Sequence, residues 1–273
     1  MELGLHGLNT HGVIAPDDVL RLARLSEELG YRSWWTSDHV VQPAGSVDPM
    51  LDSLVHLAFV AAATTTLELA TGVLILPQRD PRVLAKQAAS LDVLSGGRLR
   101  LGVGVGWEET ELRALGVSPR RRGRLTDEHL DAMEALWAAE PTPYTGSTVS
   151  FAGVDALPKP VRPHGPHLVV GGHSPAAFRR ALTRAHGWYG VGVSTDLEQH
   201  LAGLRAAAAE VDRPERLGRL EISFMHWGDE PITPDLARRY ADLGVDRLVL
   251  YPLPLANATD VATFLEQHAD LAR

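Results

Sequence analysis

Proton-transfer chemistry is the first possibility that the sequence offers, at Ser37-Asp38-His39, which directly follows an apolar run. A histidine can take or give a proton near neutral pH, and a neighbouring carboxylate can tune its imidazole for that role. Most of the 12 histidines are expected to be structural or exposed. Because His39 stands at the end of a predicted strand beside an acidic residue, we take His39 and Asp38 as candidate catalytic residues.

A second candidate segment contains the alternating glycines Gly102, Gly104 and Gly106. On a strand, alternate residues share one face, so the missing side chains of these glycines lie together. Glycines within a strand often mark a place where another group approaches the backbone closely. The approaching group is either a flat ring or a neighbouring helix that packs on the glycine face.

Trp107 and Glu108 follow these glycines, where we expect the strand to end and a helix to begin. In α/β proteins, catalytic residues concentrate at such strand ends. Glu108 or Glu109 is therefore a second candidate for moving a proton. Acidic residues also stabilise the N-terminus of a helix, and that structural role fits both glutamates equally well.

The segment Gly171-Gly172-His173-Ser174-Pro175 predicts an anion site at the start of a helix. Ser174 suits the N-cap position and Pro175 the first helical position, while the glycines allow the backbone N–H groups to turn outward. An exposed helix N-terminus of this kind binds phosphate readily. The alternative is an ordinary capped helix.

Composition restricts the function further. The chain has 273 residues, no cysteine and a formal net charge of -8, which excludes thiolate chemistry and argues against nucleic-acid binding. We find neither an apolar run long enough to cross a membrane nor a signal-peptide pattern at the N-terminus, so we expect a cytoplasmic protein.

Several other kinds of active site are not supported. His164 and His167 lie among prolines without further spaced ligands, so we expect no metal site. Lys86 and Lys159 do not stand at predicted strand ends, which disfavours Schiff-base chemistry, and the Gly-x-Ser-x-Gly motif of many hydrolases is missing. A redox cofactor that carries the reaction is therefore the simpler hypothesis.

Short apolar runs alternate with amphipathic stretches along the chain, which indicates βα units around a parallel sheet. Eight such units in one chain of this length predict an α/β fold, the (β/α)8 TIM barrel, as a single domain over residues 1–273. A proline-rich excursion, residues 140–166, interrupts the pattern between the fourth helix and the fifth strand. The predicted strands are Glu2–Leu8, Ser33–Val40, Leu67–Leu76, Arg98–Gly106, His167–Gly171, Gly187–Val193, Leu220–Trp227 and Arg247–Tyr251.

The joint order of several motifs resembles the luciferase-like monooxygenase superfamily, from Leu3 to Tyr251. None of the motifs is specific alone. They are Trp35-Thr36-Ser37-Asp38-His39-Val40, Ala70-Thr71-Gly72-Val73, the run from Leu94 to Trp107, Pro158-Lys159-Pro160-Val161, Val170-Gly171-Gly172-His173-Ser174-Pro175, and Gly187-Trp188.

This resemblance implies that a flavin or the 5-deazaflavin coenzyme F-420 binds at the C-terminal mouth of the barrel. Thr71, Gly72 and Val73 would form a bulge that cups the central ring, often with a non-proline cis peptide, and His39 would lie near the reactive carbon. The segment Gly104–Glu108, which contains Gly106 and Trp107, would flank the ring. The phosphate would be held by Gly171, Gly172, His173, Ser174 and Gly190.

The leading hypothesis is an F-420-dependent oxidoreductase that transfers a hydride to or from a small organic substrate. The alternatives are an FMN-dependent monooxygenase with a separate reductase and a non-catalytic flavin-binding homologue. Titratable groups at the mouth, namely His39, Glu108 and His226, argue against the last. The resemblance also suggests a homodimer.

Two further sets of residues are predicted to face ligands at the mouth. The acidic tail of F-420 would leave past Arg79, Arg82 or Arg179. The substrate pocket would be lined by Asn9–His11, Val40–Met50, Gln78, Met225–Trp227 and Tyr251.

Overall fold

A closed ring of parallel strands forms the centre of the protein, in a computed structural model that describes residues 1–10, 15–46, 49–228, 230–252 and 257–272. The ring has eight positions, which confirms the predicted TIM barrel. The strands are β1 Glu2–His6, β2 Ser33–Thr36, β3 Glu68–Thr71, β4 Leu74–Ile75, β5 Leu99–Gly104, β6 Tyr144–Thr145, β7 Ser150–Phe151, β8 His167–Gly171, β9 Gly187–Gly192, β10 Glu221–His226 and β11 Arg247–Leu250.

The barrel closes in the spatial order β1, β2, β3, β5, β8, β9, β10 and β11, with β11 parallel to β1. β4 continues the path of β3 and pairs with the end of β5. β6 and β7 form a separate antiparallel hairpin. The helices are α1 Pro16–Glu28, α2 Ser53–Ala61, α3 Pro81–Leu94, α4 Glu109–Ala114, α5 Arg122–Trp137, α6 Pro175–Arg184, α7 Ser194–Ala208, α8 Pro234–Asp242 and α9 Ala258–His268.

Helix starts follow local sequence signals. The side chains of Asp52, Asp80 and Ser174 accept hydrogen bonds from backbone N–H groups in the first turns of α2, α3 and α6. Proline stands at the beginning of α1, α3, α6 and α8, where its missing N–H costs nothing. Ser174 and Pro175 thus occupy the N-cap and first helical positions predicted for them.

Two apolar clusters lie on opposite faces of the strands. The larger one fills the space between the barrel and its helices and includes Trp34 and Trp188. The smaller one occupies the barrel interior, where Trp35 stacks on Tyr189 with ring centroids 4.6 Å apart. Each strand therefore contributes alternate residues to the interior and the exterior, as the period of two requires.

Charged residues close the N-terminal end of the barrel. The Arg247 guanidinium, 1% exposed, lies 2.5 Å from Glu2 and 2.7 Å from Glu68. Arg100 forms ion pairs with Glu68 and Glu221. Burial alone would raise the pKa of Glu221, but Arg100 and Arg247 outweigh it and lower that pKa. The buried arginines at this end therefore lie against carboxylates of neighbouring strands.

Several predicted strands are shorter in the structure, and two of them differ most. The second ends at Thr36 instead of Val40, which leaves Asp38 and His39 in the loop that follows β2. The third, predicted as Leu67–Leu76, is divided into β3 and β4 by a cis peptide bond between Gly72 and Val73. The resemblance predicts a bulge at this place, whereas the apolar pattern alone predicts a continuous strand.

The excursion at residues 140–166 packs against the outside of the barrel. The Glu128 carboxylate on α5 accepts hydrogen bonds from the backbone N–H groups of Thr148 at 2.5 Å and Val149 at 3.0 Å. On α3, Asp92 accepts one from the Val161 N–H at 2.8 Å. Another loop is held in the same way, since Glu27 on α1 accepts hydrogen bonds from the backbone at residues 65–67.

None of the described helices is long and apolar enough to cross a membrane. Within the same described ranges, no group of three or more metal-ligating side chains comes together.

The glycine face of β5 receives the neighbouring strand. A Cβ atom at Gly102 would lie 1.8 Å from the Thr71 carbonyl oxygen, and one at Gly104 would lie 2.6 Å from Val73 Cγ2. The close approach predicted from the alternating glycines is therefore made by the bulge between β3 and β4. Neither expected group, a flat ring or a helix, fills the face at Gly102 and Gly104, whereas a Cβ at Gly106 would meet Ile75 at 2.7 Å and Leu112 of α4 at 3.3 Å.

We expect Gly102→Ala to lower the free energy of unfolding by at least about 3 kcal/mol, because overpacking against backbone cannot be relieved by a side-chain rotation. Gly123→Ala on α5 is the control, since its Cβ would find only Arg180 Nη2 at 3.8 Å. Urea denaturation of both variants measures the difference. A Gly102→Ala protein as stable as the control would contradict the packing described for β5.

Candidate functional site

His39 lies at the C-terminal mouth of the barrel, and its ring is held by a residue that the sequence did not indicate. The His39 Nδ1 atom is 2.7 Å from Oε2 of Glu111 on α4. The Trp107 ring stands edge-on to the imidazole, with centroids 6.1 Å apart and an interplanar angle of 89°. The side chain of His39 is 20% exposed and that of Glu111 is fully buried. The loop after β2 and the segment after β5 thus meet around one imidazole.

Asp38 does not have the role predicted for it as the partner of His39. Its carboxylate lies 2.6 Å from Arg79 Nη2 and accepts hydrogen bonds from the Ile75 N–H at 2.9 Å and the Ser53 hydroxyl at 3.0 Å. Asp38 therefore ties the end of β2 to β4 and to the start of α2. The expectation that Asp38 tunes the imidazole is wrong, because Glu111 occupies that position.

The ion pair with Asp38 also bears on Arg79, which was expected to contact the acidic tail of F-420. Its side chain is 15% exposed and pairs with Asp38 and, at 3.0 Å, with Asp52. A guanidinium engaged by two carboxylates is a poor contact for the acidic tail of a cofactor. Arg82 pairs with Asp80.

Glu108 has the structural role at a helix N-terminus that was the alternative to moving a proton. Its side chain accepts a hydrogen bond from the Thr110 N–H at 2.8 Å and so caps α4. This hydrogen bond lowers the pKa of Glu108, which favours the ionised carboxylate. Glu109 is exposed and pairs with Arg113. Trp107, 72% exposed, is the largest open apolar surface beside His39.

The bulge Thr71-Gly72-Val73 fits into the two strands that follow it in the barrel. The Thr71 hydroxyl donates to the Gly102 carbonyl at 2.6 Å. Val73 lies where side chains of Gly104 and Gly171 would be, since their Cβ atoms would approach it to 2.6 Å and 2.8 Å. The predicted cis peptide is present between Gly72 and Val73. Gly72 and Val73 remain half-buried, so the bulge faces the mouth.

The predicted phosphate turn is an accessible helix start. Gly172 has a φ of 119°, and the Ser174 hydroxyl caps α6 by accepting a hydrogen bond from the Ala177 N–H at 3.2 Å. His173 and Ser174 are exposed, and the first turn of α6 carries no acidic residue. An anion at this place would meet backbone N–H groups without electrostatic opposition from α6.

The His173 ring packs beside the phosphate turn. Desolvation of this ring by its neighbours and the charge of His200 lower the pKa of His173 to about 4. Its ring stacks on His200 at 3.9 Å, and its Nε2 accepts a hydrogen bond from the Val191 N–H at 3.2 Å. His173 is therefore neutral near pH 7. Gly190 has a packing reason to be glycine, because a Cβ there would lie 2.0 Å from the Trp188 ring.

Another histidine at the mouth, His6, is buried, and the sequence did not indicate it. His6, at the end of β1, is hydrogen-bonded to the Tyr189 hydroxyl at 2.8 Å and the Ser37 hydroxyl at 2.9 Å. A Cβ at Gly72 would lie 3.0 Å from both the His6 and the Tyr189 ring, so this pair supports the bulge from the barrel interior. Its one available signal was the strand alternation that places His6 on the same face as Gly4.

His226 faces away from the mouth, contrary to its use in the sequence argument. Its ring is hydrogen-bonded to the Tyr240 hydroxyl on α8 and to the Glu230 carbonyl, both at 2.8 Å. It therefore belongs to the outer layer of the barrel. Among the predicted lining residues, His11, Val47 and Asp48 lie outside the described residues.

His6 makes the stability of the barrel dependent on pH. Burial lowers the pKa of His6 from 6.5 to about 3, so the unfolded chain binds a proton more readily than the folded one. The stabilising contribution is complete above pH 6.5 and is lost as the pH falls from 6.5 towards 3. Relative to wild type, His6→Gln should lose on the order of 2 kcal/mol less unfolding free energy between pH 6 and pH 4.

Denaturant titrations at several pH values measure this difference in slope. His164→Gln is the control, because His164 is exposed in the excursion and should leave the slope unchanged. If His6→Gln and wild type lost stability in parallel, the burial of a neutral His6 would be disproved.

Comparison with known proteins identifies the family of this chain. Residues 3–251 match the family described as luciferase-like monooxygenase. An uncharacterized protein of Mycobacterium tuberculosis is 35% identical over 265 residues, which cover 90% of this chain and 91% of that protein.

Two solved structures share the fold. An F-420-dependent secondary alcohol dehydrogenase in complex with an F-420–acetone adduct has a TM-score of 0.81 and 16% identity, covering 100% of this chain and 99% of that one. The oxygenating constituent of 3,6-diketocamphane monooxygenase from Pseudomonas putida, in complex with FMN, has a TM-score of 0.67 and 20% identity, covering 88% and 71%. Structural neighbours thus include both F-420 and FMN enzymes, and the chain belongs to the luciferase-like monooxygenase family.

Proposed function

We propose that the protein is an oxidoreductase that binds coenzyme F-420 at the barrel mouth and transfers a hydride between it and a small organic substrate. Membership of a family of oxidoreductases and monooxygenases supports an enzymatic role. The observation that carries the proposal is the His39 imidazole, partly open at the mouth and held from behind by the buried Glu111 carboxylate. His39 is the proton donor or acceptor in this proposal.

The residues of the mouth fit a tricyclic cofactor with a phosphate. The start of α6, from Gly171 to Ser174, would hold the phosphate, because it is accessible and free of acidic residues in its first turn. The half-buried Gly72 and Val73 would support the ring. The bound cofactor would supply the hydride chemistry, and the chain would orient the substrate and move the proton.

The alternative is an FMN-dependent monooxygenase with a separate reductase. It is favoured by the fold shared with an FMN-bound monooxygenase and by an FMNH(2)-dependent dimethylsulfone monooxygenase of Pseudomonas putida that is 30% identical over 174 residues. A non-catalytic homologue is the weaker reading. His226 no longer argues against it, but the His39–Glu111 pair does.

Equilibrium titration of the apoprotein with both cofactors tests the proposal. We expect F-420 to bind at least about tenfold more tightly than FMN, a difference of about 1.4 kcal/mol. Added salt should weaken F-420 binding more, because its acidic tail carries additional exposed charge. Equal or tighter binding of FMN would contradict this proposal and favour the FMN-dependent monooxygenase.

Ser174→Glu places a bulky acid at the proposed phosphate turn and should weaken both cofactors by repelling the phosphate. Thr233→Glu is the matched control, since Thr233 is likewise an N-cap residue that precedes a proline, on α8. Equal effects of the two substitutions would remove the start of α6 from the cofactor site.

We also propose that the protein is a homodimer that associates through α2 and α3. Val55 and Phe59 on α2 are 71% and 42% exposed, and Val83 on α3 is 55% exposed. Neighbouring apolar side chains on the outer faces of two helices are typical of a protein interface.

Light scattering after size-exclusion chromatography tests this association. Wild type should have twice the chain mass of 29.6 kDa, and Val55→Glu/Phe59→Glu should give the single-chain mass, because buried carboxylates oppose association. Ala206→Glu, at an exposed position of α7, is the control. A monomeric wild type, or a double variant that remains dimeric, would contradict this interface.

A further inference from the structure

Both oxygens of the Glu111 carboxylate contact polar groups of the loop after β2. Its Oε1 atom accepts hydrogen bonds from the backbone N–H groups of Val40 at 2.7 Å and Val41 at 3.3 Å. Its Oε2 atom lies 2.7 Å from Nδ1 of His39. A glutamate carboxylate has no proton to donate and accepts hydrogen bonds at both of its oxygens.

This geometry assigns the proton on the imidazole. Because a carboxylate can only accept, the hydrogen atom between the two side chains belongs to His39 Nδ1. In the neutral imidazole the other ring nitrogen, Nε2, then carries the free lone pair. The hydrogen bond made by one ring nitrogen thus determines what the other can do.

We propose that Glu111 is the positioning residue of the site: it fixes the His39 ring in the Nδ1–H tautomer and so makes Nε2 the atom that exchanges a proton with the substrate. This inference rests on the proposed function of His39. In the direction that oxidises the substrate, Nε2 takes the proton that the substrate loses as its hydride passes to the coenzyme. In the reverse direction, Nε2–H returns that proton.

The neighbouring carboxylates of Asp38 and Glu108 do not hold the His39 ring. Asp38, although next in sequence, directs its carboxylate to Arg79, Ile75 and Ser53. Glu108 acts on His39 only through its charge and caps α4. Among the described residues, Glu111 is the carboxylate in direct contact with the imidazole, at His39 Nδ1.

The Glu111→Gln variant is designed to change the tautomer of His39 while it keeps the hydrogen bonds that hold the loop. The glutamine carbonyl can still accept from the Val40 and Val41 N–H groups, and its NH2 group must then face His39 Nδ1. Two donors cannot share one hydrogen bond, so the imidazole should change to the Nε2–H tautomer. In that form Nε2 cannot accept a proton.

The tautomer is measured by 15N NMR of the histidine-labelled apoprotein, with His39→Gln used to assign the resonance. We expect Nδ1–H in wild type and Nε2–H in Glu111→Gln. Glu109→Gln is the matched control, because it removes the same charge from the first turn of α4 but lies in an exposed pair with Arg113. An Nε2–H tautomer in wild type, or the same tautomer in wild type and Glu111→Gln, would overturn the inference, and the wild-type spectrum suffices if the variant does not fold.

Turnover gives the second readout. We expect both Glu111→Gln and His39→Ala to lower kcat by about 10²–10⁴, with cofactor affinity and KM changed much less. A Glu111→Gln enzyme with wild-type kcat would refute the positioning role. If His39→Ala itself kept its kcat, the proposed function of His39 would fail, whereas the tautomer measurement would still decide whether Glu111 sets the ring.

Discussion

Val73 is the side chain on which the mouth of the barrel depends, because it fills space left by glycines of two other strands. Cβ atoms at Gly104 and Gly171 would each come within 3 Å of it, and one at Gly102 would strike the Thr71 carbonyl. Side chains at these positions would push the bulge out of the barrel wall. The glycine-rich strand and the broken strand are therefore one packing solution.

The bulge also connects the other parts of the site. Asp38 accepts a hydrogen bond from the Ile75 N–H just beyond it, and the buried pair of His6 and Tyr189 lies against Gly72. On the opposite side, Gly171 leads directly into the start of α6. A displacement of the bulge would consequently disturb both the loop that carries His39 and the helix start proposed to hold a phosphate.

How much of this could be predicted depends on the range of the interactions. The barrel, the caps and His39 follow from local patterns, since strand alternation and N-cap residues are encoded over a few positions. Glu111 lies 72 residues from His39 and Tyr189 lies 183 residues from His6, so no local pattern relates them. Asp38 was misassigned for the same reason: adjacency to His39 suggested a contact, but the direction of a side chain in a loop is set by distant partners such as Arg79.

Glutamate carboxylates hold three loops by accepting hydrogen bonds from at least two backbone N–H groups each: Glu27 at residues 65–67, Glu128 at residues 148–149, and Glu111 at residues 40–41. Every amino acid except proline provides such a donor. The identities of the loop side chains therefore matter little to the attachment. Loops anchored in this way can diverge in evolution, acquiring new side chains towards a new ligand, while the barrel that carries them keeps its geometry.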